Sequence, residues 1–180
     1  MPHGVHPVAQ RDVLDERWGA HQLSSLARAN TCTGSDQPQE ARDFLTVFAS
    51  FEGEIAAAAA LRHDEEQVLE LDQALDLLHA VEQTAGTDDR GRQYFVQNAR
   101  FHGVVHSMSR SPLVADLSRR MWYLSDFLMY SYAGADAIAT AVAARNHDHD
   151  LIRTAVVGRN DVVAKAAMEH HIRSITGLFS

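Results

Sequence analysis

QEARDFLTVFASFEGEIAAAAALR, residues 39–62, decides the fold class. Phe44, Val47, Phe48, Phe51 and Ile55 recur at spacings of three and four, the period of one face of a helix. Ile55 to Leu61 is nearly all alanine, the residue that loses least on entering a helix. A long buried helix is predicted over about 39–62.

Helical patterning continues on both sides. Upstream, residues 9–29 carry Val13, Leu14, Trp18, Leu23 and Leu26 on a loosely helical spacing, and Thr31 to Pro38 reads as a small, polar linker. This divides the chain into an N-terminal helix and linker, 1–36, and a helical domain, 37–180. Downstream, Asp64 with Gln67 has the form of a capping box and opens a helix to about Thr84, with Leu69, Leu71, Leu75, Leu78 and Val81 on its apolar face. Ala85 to Arg90 reads as a turn, and a helix over about 91–108 follows with Tyr94, Phe101, Val104 and Val105. Ser111-Pro112 is an N-cap and first helical position, and the helix it starts carries Leu117, Met121, Trp122, Leu124 and Leu128. A break is predicted near Gly134, then a helix over about 137–157. Gly158 to Asn160 is a stop and a new cap, and the last helix runs to about Ile175. The fold class is all-α, an antiparallel bundle of six or seven helices.

Composition narrows the function. Sixteen basic residues, of which only Lys165 is a lysine, stand against 24 acids, for a formal charge of -8. That balance argues against direct nucleic acid binding by this chain, which needs a basic face. A single cysteine, Cys32, permits no intrachain disulfide and fits a cytoplasmic location. No uninterrupted run of 18 apolar residues occurs, so no membrane span is expected.

The chemistry resides in four dispersed residues. Asn98 and His102 lie one helical turn apart and point to the same side. His149 and His171 can join them only if three helices pack around one centre. Imidazole nitrogen is a ligand for first-row divalent metals, and an amide oxygen adds a neutral donor. Such a set leaves a bound divalent ion its full charge, which attracts an anionic small molecule. Of the other histidines, His3, His6, His21 and His63 are assigned to solvent, His79 has no evident partner, and His147 and His170 are predicted to face outward.

The residues around these four carry a family pattern. Asn98-Ala99-Arg100-Phe101-His102 is followed by Ser109-Arg110-Ser111-Pro112-Leu113, then by Asp148-His149-Asp150-Leu151-Ile152, then by Ala164, Ala167 and Met168 before His171-Ile172. Phe51-Glu52 and the alanine run precede them. In order and spacing, residues from about Arg42 to Ile172 resemble the FCD domain, the effector-binding domain of FadR-type regulators in the GntR family. The resemblance implies a helical bundle with Asn98, His102, His149 and His171 as metal ligands at its centre, a small organic acid as ligand, and a homodimer. The metal would be Zn, Ni, Mn or Fe. Two departures stand out. An arginine that often binds the effector carboxylate in this family is replaced by Phe48, and only about 40 residues precede the domain, without the pattern of a winged helix-turn-helix.

Further candidates surround the centre. His106, one turn beyond His102, is a general base near the metal or a packed histidine. Glu52 orients a ligand or is a buried hydrogen-bonding group. Arg119 and Arg120 are candidates to replace the missing clamp or belong to a solvated face, and Phe48 and Tyr123 are candidates to line a pocket. The altered clamp and the missing DNA-binding segment favour a metal-dependent enzyme, of lyase, isomerase or non-haem iron oxygenase type. The alternatives are the metal-dependent effector-sensing domain of a regulator, and a binding or dimerisation module.

Overall fold

The computed structural model describes residues 37–178. The predicted N-terminal helix and linker up to residue 36, with Cys32, His3, His6 and His21, lie outside the described residues. Ala41–Ser180 is one unit of the chain, and it holds the helical bundle described here.

Five α-helical segments follow in order: α1 Gln37–Arg62, α2 Glu65–Val81, α3 Thr87–Met108, α4 Pro112–Val157 and α5 Asp161–Arg173, with a closing 3-10 turn Ser174–Leu178. Gly134 interrupts α4 with φ 76° and ψ 170°, so its two arms are separate helices and the described bundle has six. A left-handed backbone of this kind is open to glycine at little cost, which is why the break falls there.

The buried face of α1 is the one the sequence predicts, apart from Val47. Ala41, Leu45, Phe48, Ala49, Glu52, Ile55, Ala56, Ala59 and Ala60 are buried, Phe44 and Phe51 are half-buried, and Val47 is 65% exposed. From Ala56 to Ala60 every position is alanine, so periodicity alone could not choose the buried side there. Small residues decide it, because they admit close neighbours. At Gly53 an added Cβ would come within 2.8 Å of Glu169 Cγ, which marks the close approach of α1 and α5.

Averaged over a window, the segment Gln39–Arg62 is long and apolar enough to cross a membrane, although acids interrupt it. Half of that window is buried against the bundle, as expected of a core helix.

Local signals place the other helices. Asp64 caps α2 through a complete capping box with Gln67, and Asn160 caps α5 by accepting from the Val163 amide. Leu71, Ala74, Leu75, Leu78 and Val81 bury the face of α2, whereas Leu69, expected in it, is exposed. Helix α3 starts at Thr87, a turn earlier than predicted, because Thr87, Asp88 and Asp89 form its first turn and place acids at the positive end of the helix dipole. Its buried stripe is Gly91, Tyr94, Asn98, Phe101, His102, Val105, His106 and Met108. The polar candidates therefore sit within the core stripe itself. Asp72 with Arg153, His79 with Asp150 and Glu82 with Asn146 pair in opposite chain order, so α2 and the second arm of α4 are antiparallel.

Candidate metal centre

Helix α3 supplies Asn98 and His102, the second arm of α4 supplies His149, and α5 supplies His171. All four are buried at the bundle axis. One ring nitrogen from each of His102, His149 and His171 lies within 4.8 Å of the others. His149 Nε2 is 3.4 Å from His102 Nε2 and 3.1 Å from Asn98 Oδ1. A tetrahedral metal with metal–nitrogen bonds of about 2.0–2.1 Å places its donors about 3.3 Å apart. The His102–His149 separation fits that edge.

Hydrogen-bond roles follow from one residue, Arg145, whose guanidinium can only donate. Its Nε donates to the Tyr94 hydroxyl at 2.6 Å, so that hydroxyl spends its own proton on Asn98 Oδ1, 3.0 Å away. The Asn98 amide is thereby oriented with its oxygen toward the centre. Arg145 Nη2 donates to His171 Nε2 at 3.0 Å, so that nitrogen carries a lone pair and the proton resides on Nδ1, 3.3 Å from Asp148 Oδ2. A carboxylate behind a ligand histidine is the usual support for metal binding. Among the described residues, His102 Nδ1, His149 Nδ1 and Asn98 Nδ2 have no protein hydrogen-bond partner.

Aromatic rings wall the centre. Trp122 stacks on His102 with centroids 3.8 Å apart, and Phe101 meets His149 edge-on at 4.7 Å. Burial is the main cause that pushes His102, His149 and His171 well below the ordinary histidine pKa, and Arg145 and neighbouring imidazoles push the same way. At neutral pH the three rings are uncharged, the form that coordinates a metal. Burial also raises the Tyr94 hydroxyl, against the pull of Arg145. Neutral nitrogen donors and one amide oxygen fit a divalent transition ion, which would supply a Lewis-acidic centre with its charge undiminished.

The other candidates fall elsewhere. His106 Nε2 lies 2.9 Å from Glu52 Oε2 and 2.9 Å from Ser118 Oγ, and the Ser118 hydroxyl donates to Glu52 Oε1. Serine, histidine and glutamate are thus together, yet one imidazole nitrogen meets both partners. A relay needs the carboxylate on one ring nitrogen and the nucleophile on the other. This cluster instead satisfies a fully buried carboxylate. Glu52→Ala should therefore cost about 3 kcal/mol of stability in urea unfolding, with metal content unchanged; loss of metal would contradict a purely structural role.

Arg119 and Arg120 are exposed and bind Asp116 on their own helix, so they face solvent and not the centre. Phe48 is fully buried, edge-on to Trp122 at 5.0 Å, behind the ring that stacks on His102. Tyr123 is half-buried. His63, expected in solvent, is buried with Nδ1 2.9 Å from the Ala59 carbonyl at the end of α1. His79 meets Asp150 at 3.2 Å, and His147 and His170 are exposed as predicted. Sequence reading missed Arg145 and Ser118. Arg145 did carry a signal: it lies four residues before His149, the spacing that links Asn98 to His102.

The FCD domain family matches residues 43–174, and the chain belongs to that family. Membership implies that the domain binds a small effector molecule. Among solved structures, E. coli McbR/YncC shares the fold, with a TM-score of 0.66 at 14% sequence identity over 81% of this chain and 69% of that one. No curated protein matches the chain in sequence.

Proposed function

We propose that this chain is the effector-binding domain of a metal-dependent small-molecule sensor. Asn98, His102, His149 and His171 hold a divalent transition metal, and a carboxylate-bearing ligand completes its coordination. The observation that carries this reading is the convergence of three buried, neutral imidazoles within 4.8 Å. Family membership supports the sensor over the enzyme that the sequence favours, and the site chemistry agrees. His106 and Glu52, the candidate acid–base pair, are committed to each other and to Ser118.

Protein purified with Zn, Ni, Mn or Fe should hold one equivalent by elemental analysis. A chelator should then lower its stability by about 3–4 kcal/mol, the linkage expected when metal is present at 100 to 1,000 times its dissociation constant. Candidate organic acids should bind without being converted. Absence of metal together with indifference to chelator defeats the metal reading, and turnover of an acid restores the enzyme.

A further inference from the structure

We propose that the first arm of α4, residues 112–133, is the lid of the metal centre, hinged at Gly134 and latched by Ser118 on Glu52 and His106. This rests on the metal reading above and adds the route by which ion and ligand enter.

A route is required because the centre is closed. Asn98, His102, His149 and His171 are all buried, and His102, the least so, is 1% exposed. An ion or an acid reaches them only if a wall of the centre moves. The other walls are tied down. Helix α3 carries the core stripe of the bundle. The second arm of α4 is joined to α2 by Arg153 on Asp72 and by Asn146 on the Leu78 carbonyl and Glu82. Helix α5 starts on the Asn160 cap and lies close against Gly53 of α1.

The first arm of α4 is built otherwise. Trp122 brings it to the centre, stacked on His102. Both its ends are breaks in the helical backbone. Gly134 has φ 76°, and Arg110, just before the other end, has φ 53°, in the left-handed region that residues with a side chain rarely adopt. Its N-cap, Ser111, makes no side-chain capping bond. Its apolar residues are incompletely covered: Leu113 is 83% exposed, Leu117 is exposed, and Val114, Leu124 and Leu128 are half-buried. On the buried side, Trp122 Nε1 and Ser125 Oγ have no protein hydrogen-bond partner. Leaving such groups unpaired costs free energy that water returns when the arm lifts. Local opening is drawn from segments of this kind.

A polar latch opposes opening. Ser118, one turn before Trp122, donates to Glu52 Oε1 on α1 and lies 2.9 Å from His106 Nε2 on α3. It therefore joins the arm to both helices beneath it, and Phe48 adds an edge-on contact with Trp122. One helix carries Ser118 and Trp122, so release of the hydroxyl frees the ring that covers His102. The latch is closed with or without a metal. Loosening it therefore speeds entry and exit together and leaves the affinity unchanged.

The test has two parts, both on the full chain. In the metal-free protein, amide hydrogen exchange followed by mass spectrometry should be at least about tenfold faster in peptides from 112–133 than in those from α3 and 138–157. Equal protection would overturn the lid, whatever the metal does. Stopped-flow Zn2+ uptake and chelator-driven Zn2+ loss form the second part. Ser118→Ala should speed both by about tenfold, the worth of a buried hydrogen bond to a charged group, with Kd within about twofold of the wild type. Gly134→Ala should act in the same direction. An added Cβ there meets nothing within 4 Å, so it strains only the closed hinge, and it decides the matter if Ser118→Ala is misfolded. Leu75→Ala, a core cavity on α2, is the control and should leave both rates as in the wild type. Wild-type rates in the arm variants, or equal acceleration in the control, would overturn the lid and leave the metal site standing. Failure to bind Zn2+, Ni2+, Mn2+ or Fe2+ overturns the metal reading, and the exchange pattern then decides the lid by itself.

Discussion

His149→Ala is expected to lower metal affinity by more than about 100-fold, beyond what loss of a mere supporting partner costs. His149 sits between the other donors: its Nε2 faces both Asn98 Oδ1 and His102 Nε2, and its ring packs on Phe101. Without it, α3 and α5 retain ligands that no residue of the second arm of α4 joins. The variant should stay helical by circular dichroism, because its core contacts through Ile152, Val156 and Val142 remain. The chelator-dependent change in Tm should vanish with the metal. His147→Ala is the matched control, two residues away and exposed, and should keep a full equivalent. His170→Ala against His171→Ala makes the same comparison on α5, where His171 is buried and His170 is not. Wild-type metal content in His149→Ala would place the metal elsewhere.

Acid should destabilise the metal-free protein steeply. His102, His149 and His171 are held neutral by burial, with pKa values well below the ordinary 6.5. In the unfolded chain the same imidazoles take up protons as pH falls through about 6.5. The unfolded state then binds more protons than the folded one, so stability rises with pH in this window and falls as pH is lowered. The slope is up to about 1.4 kcal/mol per pH unit for each imidazole, or about 4 for the three. The loss begins near pH 6.5 and continues until the lowered folded-state values are reached. Urea unfolding at intervals from pH 7.5 down to about 5.5 measures it. His149→Phe, which keeps the volume and removes one titrating ring, should flatten the slope by about a third. An unchanged slope would assign the acid sensitivity to other groups. Bound metal should move the loss to lower pH, because coordination holds each imidazole in its neutral form.

Much of the fold was legible in local chemistry. Asp64 with Gln67 and Asn160 announced two helix starts, and Gly134 announced the break, because each acts on backbone groups only a few residues away. Faces were harder to place. Val47 and Leu69 match the helical period and yet lie in solvent, since the neighbouring helix, and not the period, chooses which side is covered. The four proposed ligands were legible because i, i+4 spacing is local for Asn98 and His102 and because the motifs around His149 and His171 carried the family order.

By itself, the sequence determined an all-helical chain, its caps and its break, and the four residues able to ligate a metal. Those properties reside in short-range spacing and in side-chain type. Only the tertiary structure decided which polar groups answer one another. It turned Glu52 and His106 to each other and to Ser118, sent Arg119 and Arg120 outward, closed position 48 against Trp122, and set the guanidinium of Arg145 on His171. Hydrogen-bond direction and the cost of burying charge act through space between helices far apart in the chain, and no periodicity within one helix records them.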